Sequence, residues 1–531
     1  MIPHDTSRAF NKMAETRLGN GLFGRGIDRI CAVVAARTAR GMASQVLAAR
    51  RLTQTIEIRL DWLRNDRQRR SFLVWLRGRH PPARLIATCR TVLGGGRFRA
   101  STKKELAWLS AAVTAGCAWC DLEIESLRKL APASVRQALA SARILLSFHD
   151  FRRTPARLGQ LWNEGRRWQS ACVKFAPQAN TIGDSLRILR LARNRREIVV
   201  VPMGEIGLPA RILALREGSA LAYAPVETAT APGQISLHEL KHLYRAHELT
   251  RRTRVYGVIG DPIGHSLSPL LHNTGFVARN VDAVYLPFLV KGLPDFLKAV
   301  PELGIRGFSV TIPHKEAIVR YLDDCDPLAA EIGAVNTVVV RGGGKLYGSN
   351  TDYVGVLRAL EGRLRLAGSR ILIFGAGGAA RAAAFGLARA GAAVAVCARR
   401  ESRARELARA VGGEAVPRRA LRTQYFDAIL NSTPVGMYPH AAISPLLSRE
   451  LHCRVAMDMI YRPQKTQLLR MAERKGCKIV SGIEMFLAQG FAQWEIWTGQ
   501  RAPEAAMRRA VLRKLEEEER RGTALERARR R

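Results

Sequence analysis

Lys174 closes the apolar run Ala171-Cys-Val-Lys-Phe-Ala. A lysine among apolar neighbours loses solvation, which favours the neutral amine and frees it to attack a carbonyl. A lysine that snorkels to the surface along its methylenes gives the same pattern. His149, in Ser147-Phe-His-Asp-Phe151, has the chemistry of a proton shuttle and equally that of a hydrogen-bonded structural histidine. A second set lies farther along. Ser266 and Ser268 stand in a Gly/Pro-rich stretch and suit hydroxyl donors aimed at a polyol acid, although serines before a proline also make turns. Thr311 and Lys315 follow the apolar run 307–310, and Asn336 and Asp352 close later turns. A lysine and an aspartate converging on one secondary alcohol form an acid/base pair. Finally Arg370-Ile-Leu-Ile-Phe374 runs into Gly375-Ala376-Gly377-Gly378-Ala379. Glycines between a strand and a helix let backbone amides and the helix N-terminus approach a pyrophosphate.

These groups need scaffolds, and the chain offers two. Strand-like runs fall at 30–34, 55–60, 84–88, 119–124, 142–147, 170–175, 197–202 and 220–224, with helical stretches between them. Eight such runs in some 220 residues are the arithmetic of a (β/α)8 barrel, whose chemistry sits at the carboxyl ends of strands. Glu57, Arg59, Arg90, His149, Lys174, Arg211 and Gln234 fall at those ends or just beyond. After the charged link 250–253 come two α/β lobes, the second opening on the glycine-rich turn. The expected boundaries are an N-terminal extension at 1–28, the barrel at 29–249, a substrate lobe at 254–358 and 484–515, a nucleotide lobe at 359–483, and a charged tail at 516–531 that is a frayed helix or disordered.

Composition limits the alternatives. The 531 residues are too many for one core, and 47% hydrophobic content supplies two or three. No apolar run approaches the roughly 18 residues of a membrane span. The first 28 residues lack a secretory apolar core, and Asp5, Glu15 and Asp28 argue against a transit peptide. Nine scattered cysteines suit reduced thiols in a cytosol, so a cytoplasmic protein is expected; a monomer is the expected state, though the sequence does not give it. Cys117 and Cys120 form a CxxC with no second pair, which reads as structural filler rather than a metal or redox site. A formal net charge of +40 attracts polyanions, but the arginines are spread over helical segments rather than gathered in a stripe with aromatics. A solvated Arg-rich surface is expected, without a specific nucleic-acid partner.

The series Glu57-Ile-Arg-Leu-Asp61, Thr88-Cys-Arg90, Ser147-Phe-His-Asp150, Val173-Lys174, Met203-Gly-Glu-Ile-Gly-Leu-Pro-Ala-Arg211 and Ala231-Pro-Gly-Gln234 is similar to type I 3-dehydroquinate dehydratase, in that family's order. The resemblance implies an imine between Lys174 and a substrate ketone, with His149 moving the protons. It implies that Arg211, with Arg59, Arg90 and Gln234, holds carboxylate and hydroxyls, that Glu57 orients Arg59 or a hydroxyl, and that Thr230 stands where serine is usual. The pattern departs at Gly94, where related enzymes carry a glutamate before a Gly-Gly pair. The carboxylate-assisted step thus lacks its usual residue, while the Lys and His are intact.

From about Arg254 to Leu515 the chain resembles shikimate dehydrogenase. The resemblance rests on Gly257-Val-Ile-Gly-Asp-Pro-Ile-Gly-His-Ser-Leu-Ser-Pro-Leu-Leu-His-Asn273, Gly307-Phe-Ser-Val-Thr-Ile-Pro-His-Lys315, Gly333-Ala-Val-Asn-Thr337 and Asn350-Thr-Asp352, followed by the glycine-rich turn. It implies that Lys315 protonates the forming alkoxide and that Asp352 orients Lys315 and the hydroxyl. Ser266, Ser268, Ser309, Thr311, Asn336, Tyr461, Gln489 and Gln493 would face the substrate, and Thr433, Met437 and Gly482 the nicotinamide pocket. Ser309 replaces the usual asparagine, as in fused plant-type enzymes, and Tyr353 resembles that branch too.

The cofactor can be read from the second strand of the βαβ unit. An NAD site carries Asp or Glu there for the ribose. This chain has Ala398-Arg-Arg400, with Ala398 in place of the resembled family's asparagine, and Arg403 one turn on. Arg399, Arg400 and Arg403 suit a 2′-phosphate and hence NADP, although so Arg-rich a chain also places arginines in turns. The expectation is therefore a barrel followed by a two-lobed dehydrogenase with a Rossmann-like NADP domain. The first half would dehydrate 3-dehydroquinate to 3-dehydroshikimate and the second reduce it to shikimate. Open alternatives are a quinate dehydrogenase using NAD, and a non-catalytic or polyanion-binding barrel.

Overall fold

The computed structural model describes residues 28–79, 83–168, 170–193, 195, 197–227 and 235–529, with side chains to residue 520. It divides into two compact units, one of residues up to 253 together with 294–303, the other of the remainder.

In the first unit eight parallel strands form one sheet: β1 (Ile30–Val34), β2 (Thr55–Arg59), β3 (Arg84–Thr88), β4 (Trp119–Glu123), β5 (Arg143–Asp150), β6 (Cys172–Pro177), β7 (Ile198–Val200) and β8 (Ala222–Pro225). Their order is β7-β6-β5-β4-β3-β2-β1-β8. The ring closes through Ala220 N to Ile198 O (2.7 Å) and Val200 N to Ser219 Oγ (3.1 Å). The strands are rich in β-branched and apolar residues, as strands with both faces covered must be. Helices run between them; that at Ile182–Ala192 begins with a capping box of Thr181 and Asp184. Cys31, Val33, Ile86, Leu145, Cys172 and Val199 fill the core.

Two strands run past their expected ends. β5 continues to Asp150 because it stays paired with β6 as far as Pro177. His149 therefore lies within its strand rather than just beyond it, as Lys174 does in β6. Alternation then settles direction: residues two apart share a face, so Ser147 and His149 point together, and register sets Lys174 beside Ser147.

The second unit has two sheets. Strands β9 (Arg254–Gly260), β10 (Ala283–Leu289), β11 (Ile305–Val310), β12 (Asp324–Cys325), β13 (Thr337–Val340) and β14 (Leu346–Ser349) pair in the order β10-β9-β11-β13-β14-β12. Strands β15 (Arg370–Phe374), β16 (Ala393–Cys397), β17 (Glu414–Ala415), β18 (Phe426–Asn431), β19 (Cys453–Asp458) and β20 (Lys478–Val480) are all parallel, ordered β17-β16-β15-β18-β19-β20. Strand order reverses between β15 and β18, the switch point at which such sheets bind nucleotides.

Two helices tie the lobes. Asp352–Glu361 buries Val356 and Leu360 in the core of the parallel sheet. Gly482–Thr498 is apolar nearly all round and buries Phe486, Leu487, Phe491 and Trp494 against Tyr256, Leu271 and Phe276. The stretch after Glu516, expected as a frayed helix or a disordered tail, continues the helix Glu504–Arg529. Lys514–Glu518 and Glu516–Arg520 make i,i+4 pairs along it, and Glu518 meets Arg462 at 2.9 Å. No described helix is long and apolar enough to cross a membrane.

Candidate active sites

At the carboxyl end of the barrel a cavity is lined by Glu57, Arg59, Arg90, Gly94, Gly95, His149, Phe151, Lys174, Met203, Arg211 and Tyr223. Lys174 is 3% exposed. Its Nζ donates to Asp121 Oδ2 at 2.5 Å and Glu57 Oε1 at 3.2 Å, and lies 4.4 Å from the centre of the Tyr223 ring. Asp121 is the hub of this cluster. It also accepts from Ser147 Oγ (2.6 Å) and pairs with Arg90 Nη2 (2.9 Å). Burial by itself would raise its carboxyl, but Arg90 and Lys174 hold it well below the usual carboxylate range.

Arg90 Nη1 donates to Ser147 Oγ at 2.9 Å and to His149 Nδ1 at 3.0 Å. A guanidinium can only donate, so the imidazole accepts at Nδ1 and carries its hydrogen on Nε2. Desolvation, then the neighbouring charges of Arg90 and Lys174, push His149 well below its ordinary value. The ring is therefore neutral, in the protonation state of a base.

Several expected contacts are rearranged. Arg59 is held by Asp61 through Nε and Nη2, both at 2.9 Å, and not by Glu57. Glu57 instead accepts from Thr88 Oγ1 (2.8 Å) and Lys174, so it orients the amine. Arg90 was expected to hold substrate, yet its guanidinium is engaged by Asp121, Ser147 and His149; desolvating so many charges is tolerable only if they pair with one another. Arg211, 1% exposed, donates to Pro202 O through Nε (3.2 Å) and Nη2 (2.9 Å), and burial pushes its pKa down to about 10. Thr230 and Gln234 lie outside the described residues. Sequence reasoning missed Asp121, Ser147 and Tyr223 as site residues. The signal for Asp121 was present: Asp121 and Glu123 are charges at period two within an otherwise apolar strand.

In the second unit Lys315 Nζ donates to Asp352 Oδ2, and Asn336 Nδ2 donates to Asp352 Oδ1 at 2.8 Å. Asp352 opens its helix with its N–H bonded to Asn350 Oδ1 (2.9 Å), while Asn336 Oδ1 accepts from Thr351 N and Thr337 Oγ1, both at 2.7 Å. Gln489 Oε1 stands 3.5 Å from Asn336 Nδ2. Gln493, 1% exposed, is engaged at both ends: Ser309 Oγ donates to its Oε1 (2.8 Å), and its Nε2 donates to Thr337 Oγ1 (3.1 Å). Ser309 also meets Tyr285 OH at 2.5 Å. Gln493 and Ser309, expected at the substrate, thus form a buried brace behind Asn336. Ser266 Oγ accepts from Ser268 N at 3.2 Å, and the Tyr461 ring packs tilted against Phe486 with centroids 4.8 Å apart. Thr311 and Lys315 are partly exposed on the segment leaving β11.

The glycine-rich turn fits a dinucleotide. Gly375 has φ +129°, and its N–H bonds Cys397 O at 2.8 Å. A Cβ on Gly375 would stand 2.3 Å from Ser432 Oγ, whereas one on Gly377 would meet nothing within 4 Å. Gly377 therefore leaves open the space in front of the helix Gly378–Arg389, which begins at the switch point with Ala379 in its first turn. Ala376 lies between the two glycines. Arg399, Arg400 and Arg403 are exposed just past β16. Thr433 is fixed on Asn431 Oδ1 through its N–H (3.0 Å) and hydroxyl (2.7 Å), and Met437 is 45% exposed beyond it. A Cβ on Gly482 would stand 2.5 Å from Met459 O, so only glycine lets that helix begin so close to the strand.

Residues 30–251 match the type I 3-dehydroquinase family, residues 258–338 the shikimate dehydrogenase substrate binding domain, and residues 482–512 the shikimate 5′-dehydrogenase C-terminal domain. The chain is 33% identical over 528 residues to the chloroplastic bifunctional 3-dehydroquinate dehydratase/shikimate dehydrogenase of Arabidopsis thaliana, across 95% of this chain and 87% of that one. It is 44% identical over 284 residues to the NADP(+) shikimate dehydrogenase of Methanothermobacter thermautotrophicus, across 50% of this chain and 99% of that one. Among solved structures, the shikimate 5-dehydrogenase of Thermus thermophilus in complex with NADP(H) and shikimate is 38% identical, across 49% of this chain and 98% of that one, with a TM-score of 0.46.

Proposed function

This chain belongs to the bifunctional 3-dehydroquinate dehydratase/shikimate dehydrogenase family, and from that membership we propose how its residues divide the work. The barrel is a lyase that converts 3-dehydroquinate to 3-dehydroshikimate; the second unit is an NADP-dependent oxidoreductase that reduces 3-dehydroshikimate to shikimate.

In the barrel, Lys174 Nζ gives up one proton and attacks the substrate ketone, and the ketone oxygen leaves with the released protons as water, giving a protonated imine. The protonated imine withdraws electrons from the adjacent carbon, so a proton there becomes removable. His149, held neutral, takes that proton and returns it to the departing hydroxyl, which leaves as water. Hydrolysis of the imine regenerates Lys174. Asp121 and Glu57 hold the amine beneath the ketone, and the Tyr223 ring faces its positive charge. Arg211 supplies positive charge for the substrate carboxylate. The observation that carries this reading is the desolvated Lys174 with a neutral histidine joined to it through Arg90 and Asp121.

In the second unit, Lys315 donates a proton to the alkoxide as it forms, and Asp352, fixed by Asn336, orients Lys315 and the hydroxyl. Gln489 and the Ser266 hydroxyl hold the substrate. NADPH, when bound, supplies the hydride. Gly375–Gly378 and the helix that follows would hold its pyrophosphate, Arg399, Arg400 and Arg403 its 2′-phosphate, and Thr433 and Met437 its nicotinamide end. The protein works in a reducing compartment in this reading, which the nine free thiols support.

Borohydride added with 3-dehydroquinate tests the barrel reading. A mass shift on the wild-type chain and none on Lys174→Ala is the expected result. A wild-type chain that gives no adduct, while still reducing 3-dehydroshikimate with NADPH, would overturn it.

A further inference from the structure

We propose that Glu123 is a positioning residue of the dehydratase, supplying from the end of β4 the carboxylate that loop position 94 lacks. The proposal rests on the imine reading above. Three glycines in a row, Gly94 to Gly96, press the loop after Arg90 against the mouth of the barrel. Each is obliged to be small, but by different neighbours. A Cβ on Gly95 would stand 2.2 Å from the Phe151 ring, and one on Gly96 2.1 Å from Arg90 O. At Gly94 the obstruction is a charged group: a Cβ there would lie 1.4 Å from Glu123 Oε1 and 2.5 Å from its Cδ. The Glu123 carboxylate therefore occupies the very volume that a side chain at 94 would fill.

Glu123 is 3% exposed, and its two oxygens have different partners. Oε2 accepts from Thr91 N (3.0 Å) and Thr91 Oγ1 (2.6 Å), pinning the start of the glycine loop. Oε1 faces Gly94 and lies 3.5 Å from Arg90 Nη1, the nitrogen that donates to His149 Nδ1. A neutral glutamine would satisfy Thr91 as well and would avoid the cost of burying a charge. What glutamine cannot do is pull on Arg90. Glu123 thus sets how far the guanidinium leans on the imidazole, and acts on the proton shuttle through Arg90 rather than by touching substrate.

The test uses the whole chain and three variants. Glu123→Gln keeps the size of the side chain and its acceptor for Thr91 while removing the charge. Gly94→Glu forces two carboxylates into one buried volume, where like charges cannot both stay ionised. Gly94→Glu/Glu123→Ala returns a single carboxylate to that volume from the loop side. Readouts are kcat and KM for 3-dehydroquinate, the borohydride-trapped adduct, and the melting temperature. Both single variants are expected to lower dehydratase kcat about 100-fold, the lower end of what acid–base catalysis contributes, with KM little changed. The double variant is expected to regain most of that loss.

A Glu123→Gln rate within about threefold of wild type overturns the proposal, because the charge then does nothing for proton transfer. So does a folded double variant as slow as the single ones, which would leave Glu123 as only a tie for Thr91. If Glu123→Gln fails to fold, the double variant decides by the same criterion, and if that also fails to fold, Glu123 is structural and the proposal falls. Failure of the imine reading is separate: it appears as a wild-type chain that traps no adduct.

Discussion

The two active sites handle their charges in opposite ways. In the barrel, Lys174, Asp121, Arg90 and Glu57 are all at most 4% exposed and are spent on one another, each from a different strand or its end. In the second unit Lys315 is partly exposed, its partner Asp352 is braced by the neutral amides of Asn336 and Asn350, and Arg399, Arg400 and Arg403, proposed for the cofactor, are exposed. The two proposed chemistries account for the difference. Imine formation needs its nucleophile, base and counter-charges on the chain before substrate arrives, and desolvation strengthens all of them. Reduction takes its hydride from a cofactor that enters and leaves, so that site keeps an open face and is completed by binding.

The contrast is broken most severely at Lys174. Lys174→Ala is expected to lower the dehydratase rate by at least about 10⁴-fold, as loss of a covalent nucleophile does, with the NADPH-linked reduction of 3-dehydroshikimate unchanged in the same sample. Separate spectrophotometric assays of the two steps check it. A parallel loss in both would mean the two sites are not independent.

Removing one anion from each site separates stability from rate. Asp121→Asn leaves buried cations without their partner and is expected to cost about 3–5 kcal/mol of barrel stability, read by denaturant titration. Asp352→Asn keeps an oxygen for Asn336 and releases Lys315 towards water. It is expected to slow reduction about 100-fold with a far smaller shift in the melt. Equal destabilisation by the two variants would erase the distinction.

The open cofactor face gives a smaller effect. Arg400→Glu removes a cation and repels a 2′-phosphate. KM for NADPH is expected to rise at least about tenfold, from the loss of a charge-assisted contact worth about 1.5–3 kcal/mol, with little effect on KM for NADH. An unchanged NADPH KM would place the phosphate elsewhere.

The last effect concerns stability alone, through the pH dependence of the barrel. Glu105 lies 1% exposed in the helix Thr102–Thr114, with Ser126 Oγ donating to it at 2.7 Å. Burial raises its carboxyl from 4.5 to about 7. The folded chain therefore holds that proton more tightly than the unfolded chain, so stability falls as pH rises from about 4.5 to about 7. The loss amounts to about 3 kcal/mol at roughly 1.36 kcal/mol per unit. Glu105→Gln is expected to flatten the barrel's melting temperature across that window and leave the second unit's unchanged, as differential scanning calorimetry would show.

Much of this was legible in the chain. Periodicity and turn residues placed all eight barrel strands to within a few residues. The strand–glycine–helix pattern at 370–389 located the nucleotide turn, because local steric rules govern both. Lys174, His149, Lys315 and Asp352 were candidates by residue type and setting, and only the resemblance to known families gave them roles. For the tail after Glu516 composition alone allows a frayed helix or disorder, because it does not show the i,i+4 pairing that runs along the helix.

What the sequence by itself determined is the kind of each element and the inventory of reactive groups, since backbone preference and functional-group chemistry belong to the residues that carry them. What only the tertiary structure decided is which of those groups meet. Asp121 became the hub, Glu57 turned to Lys174 rather than Arg59, Gln493 and Ser309 became a brace, and Glu123 filled the space beside Gly94. Each of those outcomes depends on register between strands far apart in sequence and on which charges burial forces together, and neither is written at any single position.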